Sequence, residues 1–392
     1  MSDPTEPTEL TVTVTALAAG GDGVARDEAG RVTFVPRTAP GDRVRARLVK
    51  QTASFGRAEL VDVIEASPVR VQPPCEAFVR GCGGCAWQHV ARAAQLEAKQ
   101  AIVAGALRNL AGLTLEPIAD PCSPLGWRRR ARFHVAGGKL GLYAYGSTDV
   151  VPLARCPQLE PELDAAVQLI AGRTPPDGEL AVVRGTTGIV VGVERPWKGA
   201  ASLIGRAGIV GVIAGSERHG ETAIEVEPGL VGGPWDFQQA SAAGNAALIA
   251  LARAALGPGP GELLELYAGA GNLTRGFVAD GWTVTASDVA RPSKQIEGAT
   301  FRAGAADRVL AATTRADTVV LDPPRTGAAE AIDGIVKLQP RTVVYVSCDP
   351  ATLGRDAARL VAAGYRAERA WPIDLMPQTA HVEVVLQLRF GK

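Results

Sequence analysis

Apolar and polar residues alternate tightly at the start of this chain, and the rhythm lengthens toward its end. Residues 9–66 carry four runs of period two: Leu10-Thr-Val-Thr-Val-Thr, Val32-Thr-Phe-Val, Val44-Arg-Ala-Arg-Leu-Val and Ala58-Glu-Leu-Val-Asp-Val. Gly20-Gly21, Ala29-Gly30 and Pro40-Gly41-Asp42 punctuate them. Short half-buried strands separated by turn residues predict a small closed or nearly closed barrel over residues 1–67. The proline-flanked stretch 68–74 reads as its exit linker.

A cysteine-rich stretch follows, then an amphipathic helix near residues 91–111. Leu96, Val103, Leu107 and Leu110 share one face of that helix, with Glu97 and Arg108 off it. Residues 125–230 read as β-rich, with Gly-rich turns and runs such as Leu180-Ala-Val-Val and Gly188-Ile-Val-Val-Gly-Val. From about residue 236 a helix over 242–255 precedes strand–helix alternation, with strands expected at 263–266, 283–286, 318–321, 343–346 and 382–388. Such alternation predicts an α/β fold with a mostly parallel, doubly wound sheet over 233–392. The turn before the last strand is too short for a helical crossover. That strand is therefore expected to run antiparallel, paired with the run at 366–372. The central region, 68–232, is expected to fold separately, except that the helix at 91–111 packs on the last domain.

A length of 392 residues implies two or three domains, and 46% hydrophobic with 21% charged residues fits a globular protein with a sizeable core. The formal charge is zero, so no global basic field points to nucleic acid. Locally, Arg128, Arg129, Arg130, Arg132 and Lys139 face a single acid, Asp149, within residues 121–150. In Trp127-Arg-Arg-Arg-Ala-Arg-Phe133 basic residues stand beside aromatics, a pattern for single-stranded RNA or for a solvated strand face. The first residues lack the basic and apolar blocks of a signal peptide, and no apolar run has membrane-spanning length. A cytoplasmic monomer is the expectation.

The candidate chemistry lies in the last domain. Glu265-Leu-Tyr-Ala-Gly-Ala-Gly-Asn272 follows a strand and opens a helix, and Gly269 and Gly271 permit a tight turn and close approach of a ligand. Asp288 ends the next strand, where a carboxylate accepts from ribose hydroxyls. Thr274 replaces the third glycine of the dinucleotide fingerprint, which favours S-adenosylmethionine over a flavin or nicotinamide nucleotide. A structural turn is the bland alternative.

Cys348 lies between a strand and a helix, in Val344-Tyr-Val-Ser-Cys-Asp-Pro350. A thiolate adding to C6 of a pyrimidine turns C5 into a nucleophile for a methyl group. A base must then take the C5 proton. Cys348 is the candidate nucleophile, its pKa lowered by the helix that follows; a buried structural thiol is the alternative. Glu383 is the candidate base, on the same strand face as His381. Asp322, in Asp322-Pro-Pro-Arg325, is a ligand-binding carboxylate or a helix N-cap. No cysteine follows that Pro-Pro pair, which favours uracil over cytosine.

These motifs resemble the RNA uracil-5-methyltransferases, through Phe237-Gln-Gln239, Glu265-Leu-Tyr-Ala-Gly-Ala-Gly-Asn-Leu-Thr274, Asp322-Pro-Pro-Arg325, Val346-Ser-Cys-Asp-Pro-Ala-Thr-Leu-Gly-Arg-Asp356 and Pro377-Gln-Thr-Ala-His-Val-Glu383. The resemblance covers nearly the whole chain. It implies a class I methyltransferase domain, Cys348 as nucleophile, Glu383 as base, and Gln239, Tyr267, Asn272, Asp288 and Asp322 at the methyl donor. It also implies that the front barrel is a TRAM-like RNA-binding module. Ala305 departs from the polar residue often found near the adenine, with Asp307 or a backbone group as replacement, and Ala268 replaces a common cysteine.

Cys75, Cys82, Cys85 and Cys156 are similar to the family's four ligands of a 4Fe–4S cluster, although six residues separate Cys75 from Cys82 where five are usual. Structural zinc suits the same four thiols. His89 reads as a packed residue and Cys122 as a buried free thiol. The implied substrate is 23S ribosomal RNA, with transfer RNA, cytosine or adenine methylation, and a non-enzymatic iron–sulfur RNA-binding protein as the rival readings.

Overall fold

The computed structural model describes residues 8–292 and 294–391. The strands Glu9–Leu17, Gly23–Arg26, Val32–Val35, Arg43–Gln51 and Phe55–Glu65 close into a barrel. Val12, Val14, Ala25, Val35, Val44, Ala46 and Ala58 fill its interior. Arg43, Arg45 and Arg47 alternate outward from Val44 and Ala46, as the two-residue period requires.

The β-rich middle forms a seven-stranded sheet that begins with Arg130–Ala136 and ends with Glu217–Gly220. Its pairings are antiparallel except between Ile189–Val193 and Ile209–Ala214. The helix Pro161–Ala171 covers one face, placing Leu163, Val167 and Ile170 in one core with Phe133, Leu180 and Val182. The pattern did not predict that helix.

The last part builds an eight-stranded sheet in the order Ala299–Ala303, Thr283–Asp288, Glu262–Leu266, Thr318–Leu321, Thr342–Ser347, Glu383–Phe390, Tyr365–Ile373, Thr114–Leu115. The first five strands are parallel to one another, and Glu383–Phe390 is antiparallel to both strands beside it. The expected antiparallel pairing with the 366–372 run is therefore present. Apolar side chains cover both faces, with Leu264, Val319 and Val343 in one core and Leu263, Val320 and Val344 in the other. That explains the unbroken Val/Leu runs of the central strands. Glu262–Leu266 pairs with Thr283–Asp288 on one side and Thr318–Leu321 on the other. Strand order thus reverses at its C-terminal end, where such folds bind ligands.

The expected helix at 91–111 runs from Arg92 to Leu107, and its buried face is Ala94, Gln95, Lys99, Val103 and Leu107. Leu96 is only partly covered. Val103 and Leu107 pack with Leu353, Ala357 and Leu360 of the helix Pro350–Ala362. A Cβ on Gly354 would lie 2.5 Å from the Ala106 carbonyl oxygen, so the two helices touch backbone to backbone. With Thr114–Leu115 at the sheet edge, this segment packs on the large sheet although it precedes the middle region in sequence. No helix among the described residues is long and apolar enough to cross a membrane.

Candidate active site

The glycine turn sits at the sheet's switch point. Gly269 and Gly271 have φ of 54° and 84°, and a Cβ on Gly271 would meet Ile296 at 2.1 Å. No larger residue fits Gly271 without moving Ile296. Tyr267 also holds a left-handed φ of 60°, the kind of unfavourable backbone that persists at ligand sites. The Asp288 carboxylate accepts from Gly269 N at 2.9 Å and from Ala290 N at 3.1 Å, tying the second strand end to the turn. Asn272 and Asn245 exchange two amide hydrogen bonds of 2.7 and 2.9 Å, and Tyr267 donates to Glu330 at 2.5 Å. The Gln239 carbonyl accepts from Arg129 at 3.2 Å. Asp307 is exposed in the first turn of Ala306–Ala311, directly after Ala305.

Strand register brings the reactive groups together. Leu321 pairs with Tyr345 and Ser347 with Val384, so Asp322, Cys348 and Glu383 leave three adjacent strands at one edge of the sheet. Burial pushes the Glu383 carboxyl well above its usual range, and the charge of Asp322 adds to this against the opposing pull of Arg325. Burial likewise pushes Asp322 up to about 7. Glu265, nearby and buried, accepts from Thr274 Oγ1 at 2.6 Å and is pushed up to about 8, chiefly by burial.

Two expectations change here. Burial raises the Cys348 thiol to about 11, with Glu383 and Asp322 adding to the rise and Arg325 opposing it. The net shift is thus upward although a helix follows, a helix that Asp349 caps with its own carboxylate, accepting from Thr352 N at 2.9 Å. Asp322 is no N-cap, because the next helix starts only at Ala329; Tyr345 Oη and the Asp356 carboxylate accept from Ala328 N instead. His381 lies in the loop before the strand, with both ring nitrogens 3.0–3.2 Å from Arg325 Nη2. Burial holds its pKa down at about 4, so the ring is neutral. Arg325, for which the motif alone suggested no role, stands between His381 and Cys348 and is the charge that opposes the rise of the thiol.

Cys348, Arg325 and His381 line one wall of a cavity of about 690 Å³. Cys75, Cys82, Cys85 and Cys156 line the same cavity, gathered from three chain segments. Cys82 Sγ accepts from Gly84 N at 3.5 Å, and Gly83 N donates to the Tyr143 carbonyl at 2.9 Å, fixing the Cys-Gly-Gly-Cys turn on the middle sheet. Among the described residues, no three His, Cys, Asp or Glu side chains are grouped to hold a metal ion. His89 stacks on Phe78 at 5.7 Å, and Cys122 is buried 3.1 Å from Ser241 Oγ.

The four arginines divide. Arg129 is turned inward, where it contacts Glu227 and donates to the Val226 carbonyl at 2.9 Å. Arg128 stacks 5.5 Å from the Trp127 ring beside the cysteines. Arg130 and Arg132 lie 5.7 Å over the rings of Phe237 and Trp235, and Phe237 is 79% exposed. The surface suited to unstacked bases is thus made by Arg130, Arg132, Trp235 and Phe237 together.

Known proteins resemble this chain in sequence and in fold. Residues 5–61 match the TRAM domain model, and residues 307–389 match the model described as tRNA (Uracil-5-)-methyltransferase. An uncharacterised RNA methyltransferase of Gloeobacter violaceus is 35% identical, over 98% of this chain and 98% of its own. A 23S rRNA (uracil(1939)-C(5))-methyltransferase of Marinomonas sp. is 33% identical over 97% of this chain and 95% of its own. In fold, the chain resembles the Pyrococcus abyssi tRNA (uracil-54, C5)-methyltransferase solved with S-adenosyl-L-homocysteine, with a TM-score of 0.74, 19% identity, and coverage of 97% and 99%. The chain belongs to the RNA uracil-5-methyltransferases, which use S-adenosylmethionine to methylate uridine in RNA.

Proposed function

We propose that this chain methylates C5 of a uridine in 23S ribosomal RNA, with Cys348 as nucleophile and Glu383 as base. The observation that carries the reading is the convergence of Cys348, Glu383, Asp322 and Arg325 at one sheet edge beside the glycine turn. The Cys348 thiolate attacks C6, and the ring electrons move toward C5 and O4. Arg325 offsets negative charge where the thiolate forms. Gln239, Tyr267, Asn272, Asp288 and Asp322 would hold S-adenosylmethionine, which when bound would supply the methyl group to C5, the S–CH3 pair staying on its sulfur. Glu383 then takes the C5 proton, the C5–H pair forms the C5=C6 bond, and the C6–S pair returns to sulfur. A carboxylate with a raised pKa is the stronger base for a carbon-bound proton.

The ribosomal substrate is supported by the printed activity of full-length relatives at about one-third identity. Arg130, Arg132, Trp235 and Phe237 would hold the unstacked RNA, with the barrel extending the contact. Cys75, Cys82, Cys85 and Cys156 would hold a 4Fe–4S cluster, as the family resemblance implies, with structural zinc the alternative for the same four thiols. When bound, it would tie three chain segments together.

Cys348→Ala is expected to abolish methylation while leaving S-adenosylmethionine binding intact. With 5-fluorouridine RNA, the wild type should form a denaturation-stable adduct on Cys348. An adduct on another residue, or full turnover by Cys348→Ala, refutes the mechanism. Methylated transfer RNA in place of ribosomal RNA, mapped in cells with and without the gene, changes the substrate but keeps the chemistry.

A further inference from the structure

The helix Arg92–Leu107 buries two polar side chains, Gln95 and Lys99, on a face that apolar residues would fill equally well. Both reach the loop 374–382, which connects the strand Tyr365–Ile373 to Glu383. Lys99 Nζ donates to Asp374 Oδ1 at 2.6 Å and to the Met376 carbonyl at 3.2 Å. The same Asp374 oxygen accepts from Met376 N at 3.0 Å, and Arg92 holds the other carboxylate oxygen. Gln95 Nε2 donates to Gln378 Oε1 at 2.9 Å, and Gln378 N donates back to Gln95 Oε1 at 3.1 Å.

Gln378 needs this support, because its φ of 66° is a left-handed conformation that a side-chain-bearing residue rarely holds. Its carbonyl accepts from Ala86 N and Trp87 N, both at 3.0 Å. Downstream, Thr379 Oγ1 donates to the Met376 carbonyl at 2.7 Å and accepts from His381 N at 3.3 Å. The loop is thus held in one shape from Asp374 to His381, and that shape sets where the chain enters the strand at Glu383.

We propose that Gln95 and Lys99 are positioning residues for removal of the C5 proton, acting through this loop on Glu383. The proposal rests on the assignment of Glu383 as base. The step it governs moves the C5 proton to Glu383 and breaks the C6–S bond, the pair leaving on Cys348. A displaced Glu383 leaves thiolate addition and methyl transfer in place and slows only this release. The methylated RNA then stays attached to the enzyme.

The test compares wild type, Gln95→Leu and Lys99→Met as full-length chains, with unmodified ribosomal RNA transcript and S-adenosylmethionine. We expect kcat to fall about 10–100-fold, the size of loss a small misplacement of a reacting group causes, with KM values within about 3-fold. A denaturation-stable adduct with ordinary uridine RNA should accumulate several-fold above wild type. Val103→Ala weakens the packing of the same helix and serves as the control, lowering the melting temperature without raising the adduct. Should a variant fail to fold, Gln95→Asn keeps an amide one methylene short and carries the same expectation. Parallel loss of turnover and adduct in Gln95→Leu and Lys99→Met overturns the inference, as does adduct accumulation in Val103→Ala. If wild type forms no adduct with 5-fluorouridine RNA, the Cys348–Glu383 reading falls and takes this inference with it.

Discussion

Cys348 rests as a thiol, and the reason is its surroundings rather than its position before a helix. Burial and two carboxylates raise it to about 11, and Arg325 is the group opposing them. Methylation rates should therefore climb as pH rises toward about 11, as the thiol loses its proton. Arg325→Met should lower the rate of 5-fluorouridine adduct formation across that range; an unchanged rate excludes the guanidinium from thiolate stabilisation. Glu265 makes a separate prediction about stability. The folded chain keeps its proton up to about 8, whereas an ordinary glutamate releases it near 4.5. The stabilisation from that proton is complete below about 4.5 and is lost as pH rises toward 8. The melting temperature of the wild type should fall through this window relative to Glu265→Gln, whose amide does not titrate. Parallel melting curves would show that the site is not buried in solution.

At the scale of elements, the strands were legible because their period is short and their turns are marked. Thr318–Leu321 falls where its apolar run lies, and the barrel strands follow their alternation. The helix Arg92–Leu107 was legible as a helix, and Val103, Leu107 and Leu110 of its expected inward face are buried, but Leu96 is only partly covered and Gln95 and Lys99 share the buried face. Gln95 and Lys99, four residues apart, were a signal that a polar partner awaited them. Beside the strand Arg130–Ala136, the arginine cluster divides in the same way. Arg129→Ala should destabilise the fold by about 3 kcal/mol in urea titration, because it removes the charge partner of the mostly buried Glu227 and leaves it only the Asn245 amide. Arg132→Ala should leave stability unchanged and reduce the salt dependence of RNA binding by about one unit of slope. If both variants behave alike, the division between pillar and RNA contact is wrong.

Across the whole molecule, the cysteine stretch is the junction of three sheets. Trp87 is fully buried and donates to the Gly21 carbonyl of the barrel at 2.9 Å, in a core with Leu17, Ala39, Val90, Ala94 and Ala380. Arg37 of the barrel donates to the Cys82 carbonyl at 3.0 Å. Because Ala86 and Trp87 also hold Gln378, order at the cysteines is transmitted to the loop before Glu383. Protein purified without oxygen should contain about four iron atoms and matching acid-labile sulfide per chain. Cys85→Ser should lose the iron and speed hydrogen exchange in 374–382. Stoichiometric zinc without sulfide would replace the cluster with a single ion.

The amino-acid pattern by itself determined the barrel, the doubly wound sheet and the glycine turn, and singled out Cys348 and Glu383 as the candidate reactive residues, because local periodicity and short motifs encode them. Only tertiary structure decided that Arg129 faces inward, that Cys348 is held as a thiol, and that Gln95 and Lys99 reach Gln378 and Asp374. The Arg129, Gln95 and Lys99 outcomes depend on partners more than 90 residues away in sequence, and the Cys348 outcome on burial beside groups from two other strand ends. Such distances lie beyond any local window, so only the folded chain fixes them.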